Sequence, residues 1–242
     1  RRACGAELVS IPTEELFAEI RLGDYPMTEG VRALLEKGYD TAEMDKALAV
    51  YGALRRLCDR HQLDALTVRC FELLKPFQTT GCAALALLNS EGIPAACEGD
   101  IKSMVSMAVL WALTGQPGFM ANPSRLDPER NEVVFAHCTL PLSMPVCCSL
   151  TTHFESGLGV ALAGELPLGP CTVFKTQADF SRYYAASGTI LENLHECNLC
   201  RTQIRVHLPG GTDYFTKNPI ANHQHICCGD HVELIRRFYD LF

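Results

Sequence analysis

Ile93-Pro94-Ala95-Ala96-Cys97-Glu98-Gly99-Asp100 is the stretch on which the reading of this chain turns. Ile93 to Cys97 is too short and too apolar for a surface strand, so it reads as a buried one. Ile101 to Leu113 then carries Ile101, Met104, Val105, Ala108, Val109, Trp111 and Ala112 on nearly every face, the pattern of a buried helix. Asp100 suits the N-cap of that helix and Gly115 its C′ position, while Gly99 supplies a sharp bend between strand and helix. Glu98 is thereby placed at the carboxyl end of a strand, where ligands collect in open α/β sheets. Attraction to the positive helix terminus is enough to account for Asp100. Glu98 needs a second group from elsewhere.

Working outward toward the N-terminus, Ala6 to Ile11 reads as a strand, and Thr13 with Glu14 and Glu15 as the cap and acidic first turn of a helix. Thr28 to Lys37 is a short helix stopped by Gly38. From Thr41 onward, Met44, Ala47, Leu48, Tyr51, Leu54 and Cys58 recur at helical spacing, with Arg55, Arg56 and Asp59 outward. Ala65 to Cys70 is a strand, and Thr80 to Asn89 an apolar helix ended by Gly92. Strand and helix thus alternate as far as Gly115, which predicts a parallel α/β sheet. After Gln116-Pro117-Gly118 the helical pattern stops, and Gly, Pro and Thr punctuate short strands. Val133 to Cys138, Leu158 to Gly164, Cys171 to Thr176 and Thr202 to Leu208 are the clearest. In the last, Thr202, Ile204, Val206 and Leu208 alternate with Gln203, Arg205 and His207, as a sheet with one wet face requires. The expected organisation is an α/β region over 1–117 and a β-rich domain over 118–242, closed by a helix from Val232 to the end.

The 242 residues include 21 basic and 28 acidic side chains, a net charge of -7 that disfavours nucleic acid as a partner, and no polybasic run points to a membrane surface. Met104 to Leu113, bounded by Lys102 and Gly115, is too short to span a bilayer. There is no signal-peptide pattern, and the opening Arg1-Arg2 in place of Met leads us to expect an absent upstream portion. The 13 cysteines are odd in number, scattered and set mostly in apolar runs, so they read as buried thiols of a reducing cytoplasm. Cys197-Asn198-Leu199-Cys200 has zinc-ribbon spacing but lacks a second such pair, and Cys147-Cys148 and Cys227-Cys228 could be conscripted only by an arrangement the sequence does not hint at.

Eligible partners for Glu98 lie in the second half: Asn122, His137, and the run Asn222-His223-Gln224-His225. Imidazoles with a carboxylate and no neighbouring thiolate suit a divalent metal such as Mn²⁺ or Zn²⁺. A lone histidine in an apolar strand is more often a core residue than a ligand, which weighs against His137 taken alone. His223 and His225 share a face if their segment is extended. His153-Phe154-Glu155-Ser156-Gly157 reads as a turn and Asp127-Pro128-Glu129 as a solvated loop. No G-x-S-x-G elbow or phosphate-cradling glycine loop occurs.

Taken together, Asp64-Ala65-Leu66-Thr67-Val68-Arg69-Cys70-Phe71, Gly81-Cys82-Ala83-Ala84, the Ile93 to Asp100 stretch, Leu113-Thr114-Gly115-Gln116-Pro117, Cys200-Arg201-Thr202-Gln203, and Asn222-His223 followed by Gly229-Asp230-His231 resemble the L-fucose isomerase-like family. These are metal-dependent aldose-ketose isomerases related to the L-arabinose isomerases. The resemblance covers nearly the whole chain and implies the end of a middle, Rossmann-like α/β domain followed by an antiparallel β-barrel domain with a C-terminal helix. It implies a Mn²⁺ site, or one for another divalent metal, where the two domains meet. By position Glu98 matches the metal-binding, catalytic glutamate and His223 the C-terminal histidine ligand. His137 lies where the arabinose relatives place another histidine. Asn122 stands where well-understood members carry an acidic ligand active in proton transfer. An amide oxygen can coordinate but has no charge and is no base near neutral pH. The resemblance further implies a monosaccharide substrate, a cytoplasmic location and a homo-oligomer, a hexamer or similar. The expected activity is that of a sugar isomerase, an intramolecular oxidoreductase moving a proton through an enediolate. The alternatives are a non-catalytic sugar-binding or assembly protein on the same scaffold, motivated by Asn122, and a zinc-stabilised structural module.

Overall fold

The computed structural model describes residues 5–241. Its N-terminal half is helical around a very small parallel sheet. Helix α1 is Thr13–Ile20, α2 Glu29–Leu35 and α3 Thr41–His61, followed by strand β1 (Leu66–Thr67), a 3₁₀ turn over Cys70–Leu73, α4 (Leu74–Phe77) and α5 (Cys82–Ser90). Strand β2 is Ala95–Ala96 and α6 is Ile101–Thr114. β1 and β2 pair in parallel, Leu66 opposite Ala95 and Thr67 opposite Ala96. α5, buried along its whole length but for Ser90, packs beside β2, and Asn89 at its end ties the two: its amide donates to Ala95 O at 2.8 Å and its oxygen accepts from Ala95 N–H at 2.9 Å.

Phe119 opens the second architecture. Strands β3 (Phe119–Asp127), β4 (Glu132–His137), β7 (Gly169–Thr176), β8 (Tyr183–Asn193), β9 (Thr202–His207) and β10 (Gln224–Cys228) form a closed antiparallel barrel in the order β10-β3-β4-β9-β8-β7, with β10 also pairing β7. Between β4 and β7, β5 (Cys147–Thr151) and β6 (Ala161–Glu165) make a separate antiparallel ribbon. α7 (Asp213–Lys217) and α8 (Val232–Tyr239) complete the elements. The expected α/β plus β-barrel architecture is thus what the chain adopts. The end of the expected C-terminal helix, Phe242, lies outside the described residues.

α6 is the part that joins the two architectures. Asp100 caps it by accepting from Ser103 N–H at 2.8 Å, and Gly115, at φ +66°, ends it in the left-handed conformation. One face of α6 packs Val109 and Leu110 against Phe174 and Cys227 of the barrel. Its polar side is buried too: Ser106 Oγ accepts from Thr176 N–H at 3.1 Å at the end of β7, and Lys102 Nζ donates to Ile220 O at 3.1 Å. One apolar cluster runs from Leu48, Leu85 and Ala96 into Phe135, Val173 and Ile226, so helices and barrel share a core.

Two local expectations are corrected. Residues 6–11 form no strand: β1 and β2 make a sheet of two, and this segment instead lies as irregular chain along an apolar cavity beside β1. An extended segment without a ladder partner has no reason to hold strand geometry. Thr13 does not cap α1, since Pro12 occupies that position and the Thr13 hydroxyl donates instead to Glu72 Oε2 at 3.0 Å.

Candidate metal centre

The turn after β2 aims the site. Glu98 has φ +61° and Gly99 φ +68°, two consecutive residues in the left-handed region. For a residue with a Cβ this conformation is strained, and it persists only where neighbours hold it. Here Gly99 N–H donates to Val68 O at 3.0 Å and Asp100 N–H to Cys97 O at 3.1 Å, folding the chain back on β1 before the helix starts. The strain turns the Glu98 carboxylate toward the barrel.

Two histidines come to meet it. His137 ends β4 and is 4% exposed, and His223 immediately precedes β10 and is 5% exposed. Their Nε2 atoms lie 3.5 Å and 3.6 Å from Glu98 Oε1, and one ligand atom from each of the three residues falls within 4.8 Å of the other two. The rings stand nearly perpendicular, 5.3 Å between centroids. No other group of three His, Cys, Asp or Glu side chains among the described residues meets so closely.

The far ring nitrogens are held as well. His223 Nδ1 is 3.0 Å from Asp100 Oδ2, and His137 Nδ1 is 2.7 Å from the Thr139 hydroxyl. A carboxylate accepts only, so His223 donates a proton from Nδ1, and in the neutral ring this leaves Nε2 with a lone pair. That Nε2 is buried and has no hydrogen-bond partner. An orphaned, pre-oriented imidazole nitrogen beside a second imidazole and a carboxylate fits a divalent cation by donor type as well as by position.

Electrostatics favour an ionised Glu98 and a neutral His137, while His223 is drawn toward its protonated form. Contacts from His137 and then His223 hold the Glu98 carboxyl well below the usual carboxylate range, with burial opposing them. Burial pushes His137 down, with Glu98 pulling the other way, which favours the neutral form a ligand needs. At His223 burial also acts downward, but bonds to Asp100 and Glu98 outweigh it and the net direction is up. At Asp100 burial is the largest single influence and acts upward. His223, Lys175 and Ser103 together overcome it, and the carboxyl is held far below its ordinary value.

Asn122, in β3, lines the same cleft as Glu98 and His137, but its Oδ1 accepts a hydrogen bond from Asn222 Nδ2. His225 does not join the cluster. It is wholly buried, neither ring nitrogen has a partner, and burial pushes it well down, so it is a neutral core residue. The His153 turn exists, Gly157 N–H donating to His153 O at 2.9 Å, and it brings His153 and Glu155 to the wall of the cleft. Five cysteines, Cys70, Cys82, Cys97, Cys138 and Cys200, also line it, with Cys70 and Cys97 Sγ 3.0 Å apart. Nothing in the scattered sequence positions of these thiols announces that gathering. Cys197 is exposed, so the Cys197–Cys200 pair builds no enclosed site.

The cleft has a free volume of about 30 Å³. A larger cavity, about 320 Å³, lies beyond Gly99 against Leu8, Leu54, Leu66 and Ile101. Its lining is mainly aliphatic, and its Arg69 and Glu72 pair with each other at 2.7 Å, so it holds no cluster of titratable groups like that of the smaller cleft.

No family model matches the sequence. Among curated proteins the chain is 30% identical over 131 residues to a sulfoquinovose isomerase of Clostridium sp. (strain MSTE9), covering 54% of this chain and 28% of that protein. It is 25% identical over 175 residues to the sulfoquinovose isomerase of Priestia aryabhattai, 70% of this chain and 38% of the relative. A sulfoquinovose isomerase of Alkalicoccus urumqiensis matches over 135 residues at 25% identity, 55% of this chain and 29% of that protein. The chain therefore spans less than two fifths of the length of these relatives. Their names agree with the sugar-isomerase expectation at the level of reaction class and do not carry the fucose or arabinose assignment. What the comparisons establish is that more than half of this chain is similar to proteins named as isomerases of a sugar.

Proposed function

We propose that this chain carries the metal-binding part of an aldose-ketose isomerase, with a monosaccharide substrate and Mn²⁺ or another divalent ion held by Glu98, His137 and His223. The observation that carries the reading is the convergence of these three side chains with His223 Nε2 left bare. Sulfoquinovose is the first sugar to try, because the relatives bear its name; L-fucose and L-arabinose follow from the family resemblance.

In such a reaction a proton leaves C2 of the open-chain aldose and one is delivered to C1, while the C2 hydroxyl proton passes to the C1 oxygen. A divalent ion, when bound, offsets the negative charge that gathers on the two oxygens of the enediolate. Glu98 is the group solvent reaches, at 35% side-chain exposure against 6% and 7% for the two histidines, so it is the member able to take the C2 proton and return it. Its low carboxyl pKa, set by the histidines, keeps it ionised at neutral pH. His223 in its neutral Nδ1–H form offers Nε2 as a nitrogen donor, whereas His137, whose Nδ1 accepts from Thr139 N–H at 3.3 Å, offers Nε2 once that nitrogen has given up its proton. The cleft admits an ion or a water but not a sugar, so the substrate lies across its mouth. There Asn122 and Asn222, one amide already donating to the other, can give and accept hydrogen bonds with sugar hydroxyls.

The test is ketose formation from sulfoquinovose, L-fucose and L-arabinose with and without Mn²⁺, beside Glu98→Gln. Metal-dependent ketose, lost by at least about a hundredfold in Glu98→Gln with the circular dichroism unchanged, supports the reading. Full activity after chelation, or in Glu98→Gln, removes it. Sugar binding without ketose favours the second reading, a non-catalytic sugar-binding protein, for which Asn122 in place of an acid is the motivating observation.

A further inference from the structure

Lys175 is 0% exposed, an unusual place for an ammonium group. A buried lysine carries a large desolvation cost that an apolar side chain of similar length would avoid. Its Nζ donates to Ser103 Oγ at 2.8 Å and lies 3.5 Å from Asp100 Oδ2. Ser103 passes the connection on, its hydroxyl donating to Asp100 Oδ2 at 2.7 Å and its N–H to Oδ1 at 2.8 Å. The next donor to Oδ2 is His223 Nδ1 at 3.0 Å. Both polar contacts of the ammonium thus lead to Asp100, and Asp100 leads to His223. Lys175 does not line the cleft, so it has no direct access to a substrate.

We infer that Lys175 is a positioning residue which, by fixing the orientation of the Asp100 carboxylate, holds the His223 imidazole with its proton on Nδ1 and its Nε2 lone pair toward Glu98. The inference rests on the reading of Glu98, His137 and His223 as holders of a divalent cation. The physical reason is that a carboxylate orients an imidazole only while it is itself anchored. The Ser103 hydroxyl, fixed by accepting from Lys175, donates to the same Oδ2 that faces the ring and so sets that oxygen's position. Partners of this kind typically change metal affinity by 10–100-fold. A lysine that only fastened α6 to the barrel would have no reason to act on a histidine two contacts away.

The experiment uses the whole chain as wild type, Lys175→Met, Asp100→Asn and the double variant. It measures Mn²⁺ affinity by electron paramagnetic resonance and, in metal-free protein labelled with ¹⁵N-histidine, the tautomer of each ring. The expected result is about tenfold weaker Mn²⁺ binding in Lys175→Met, with the double variant no weaker than Asp100→Asn alone. The His223 signals should leave the pure Nδ1–H form while those of His137 stay. Equal affinity of wild type and Lys175→Met, or losses that add in the double variant, overturns the inference. If the wild type takes up no Mn²⁺, the metal reading falls, and the tautomer spectra alone decide Lys175: an unchanged His223 in Lys175→Met sinks it. Should Lys175→Met fail to fold, Ser103→Ala, which removes the hydroxyl shared by Lys175 and Asp100, is measured by the same spectra: a His223 that leaves the Nδ1–H form supports the inference, and one that keeps it overturns it.

Discussion

Glu98 combines a chemical group with a backbone conformation that only glycine adopts freely, so its two properties separate by mutation. Glu98→Ala and Glu98→Gly both remove the carboxylate, but alanine keeps the strain of φ +61° and glycine releases it. Glu98→Gly is expected to be the more stable of the two by about 1 kcal/mol, read as a shift in the urea midpoint. Alanine at least as stable as glycine would mean that the turn is not strained. For Asn122, a carboxylate facing Glu98 and His137 across the cleft adds a charged donor, so Asn122→Asp should tighten Mn²⁺ binding by about tenfold. Unchanged affinity in a calorimetric titration places the side chain outside the coordination sphere. Glu98 was readable because an apolar strand running into a carboxylate and a glycine has few structural explanations. His137 and His223 gained weight through family resemblance, since neither a histidine in an apolar strand nor one before a short strand is informative alone. Asp100 and Lys175 were not legible as parts of the site. Asp100 does cap α6, and that duty hides its bond to His223, while a lysine in a strand reads as an outward residue.

Among the elements, α3 shows how a weak local signal conceals a strict requirement. Gly52 lies mid-helix, where replacing glycine by alanine ordinarily gains about 1 kcal/mol. Here a Cβ would fall 2.1 Å from Asp24 O and 2.9 Å from Tyr25 Cα, both backbone. Gly52→Ala should therefore destabilise by at least about 2 kcal/mol, as overpacking against a fixed chain does. A raised melting temperature would show that the segment near Asp24 yields. The longer helices were legible from their period, α3 from its start at Thr41 and α6 almost to the residue, whereas the short α4 and α7 were not and the cap of α1 fell one residue away. β4, β7 and β9 were legible from β-branched runs, whereas β3, β5, β8 and β10 were not. β3 contains Pro123 and shifts register between Pro123 and Arg125, and β10 is buried on both faces over most of its length, so neither shows the alternation that marks a half-wet strand. β6 starts later than its pattern predicts, at Ala161, because Gly157 and Gly159 sit in left-handed turns before it.

For the molecule as a whole, the polar groups buried where α6 meets the barrel give stability a traceable pH dependence. Burial pushes Lys175 down from 10.5 to about 8, Lys102 adding to the effect and Asp100 opposing it, and Lys175 in turn helps to keep the adjacent His225 neutral. Between those values the unfolded chain holds a proton that the folded chain has released, so this residue makes stability rise with pH across the window. The buried Tyr51, the half-buried Tyr184 and the Cys58 thiol are pushed upward and act in the opposite sense at alkaline pH, but they are common to wild type and Lys175→Met. The difference in unfolding free energy, wild type minus Lys175→Met, should therefore grow by about 3 kcal/mol from pH 7 to pH 10.5. A flat difference in urea titrations would mean that Lys175 titrates normally. No described helix is long and apolar enough to cross a membrane. Lastly, β10 is the stave that closes the ring, bridging β3 and β7, and His223 lies at its threshold. During biosynthesis, then, the group around Glu98 stays incomplete through the translation of more than a hundred further codons, and the barrel cannot close until the ribosome has passed β10.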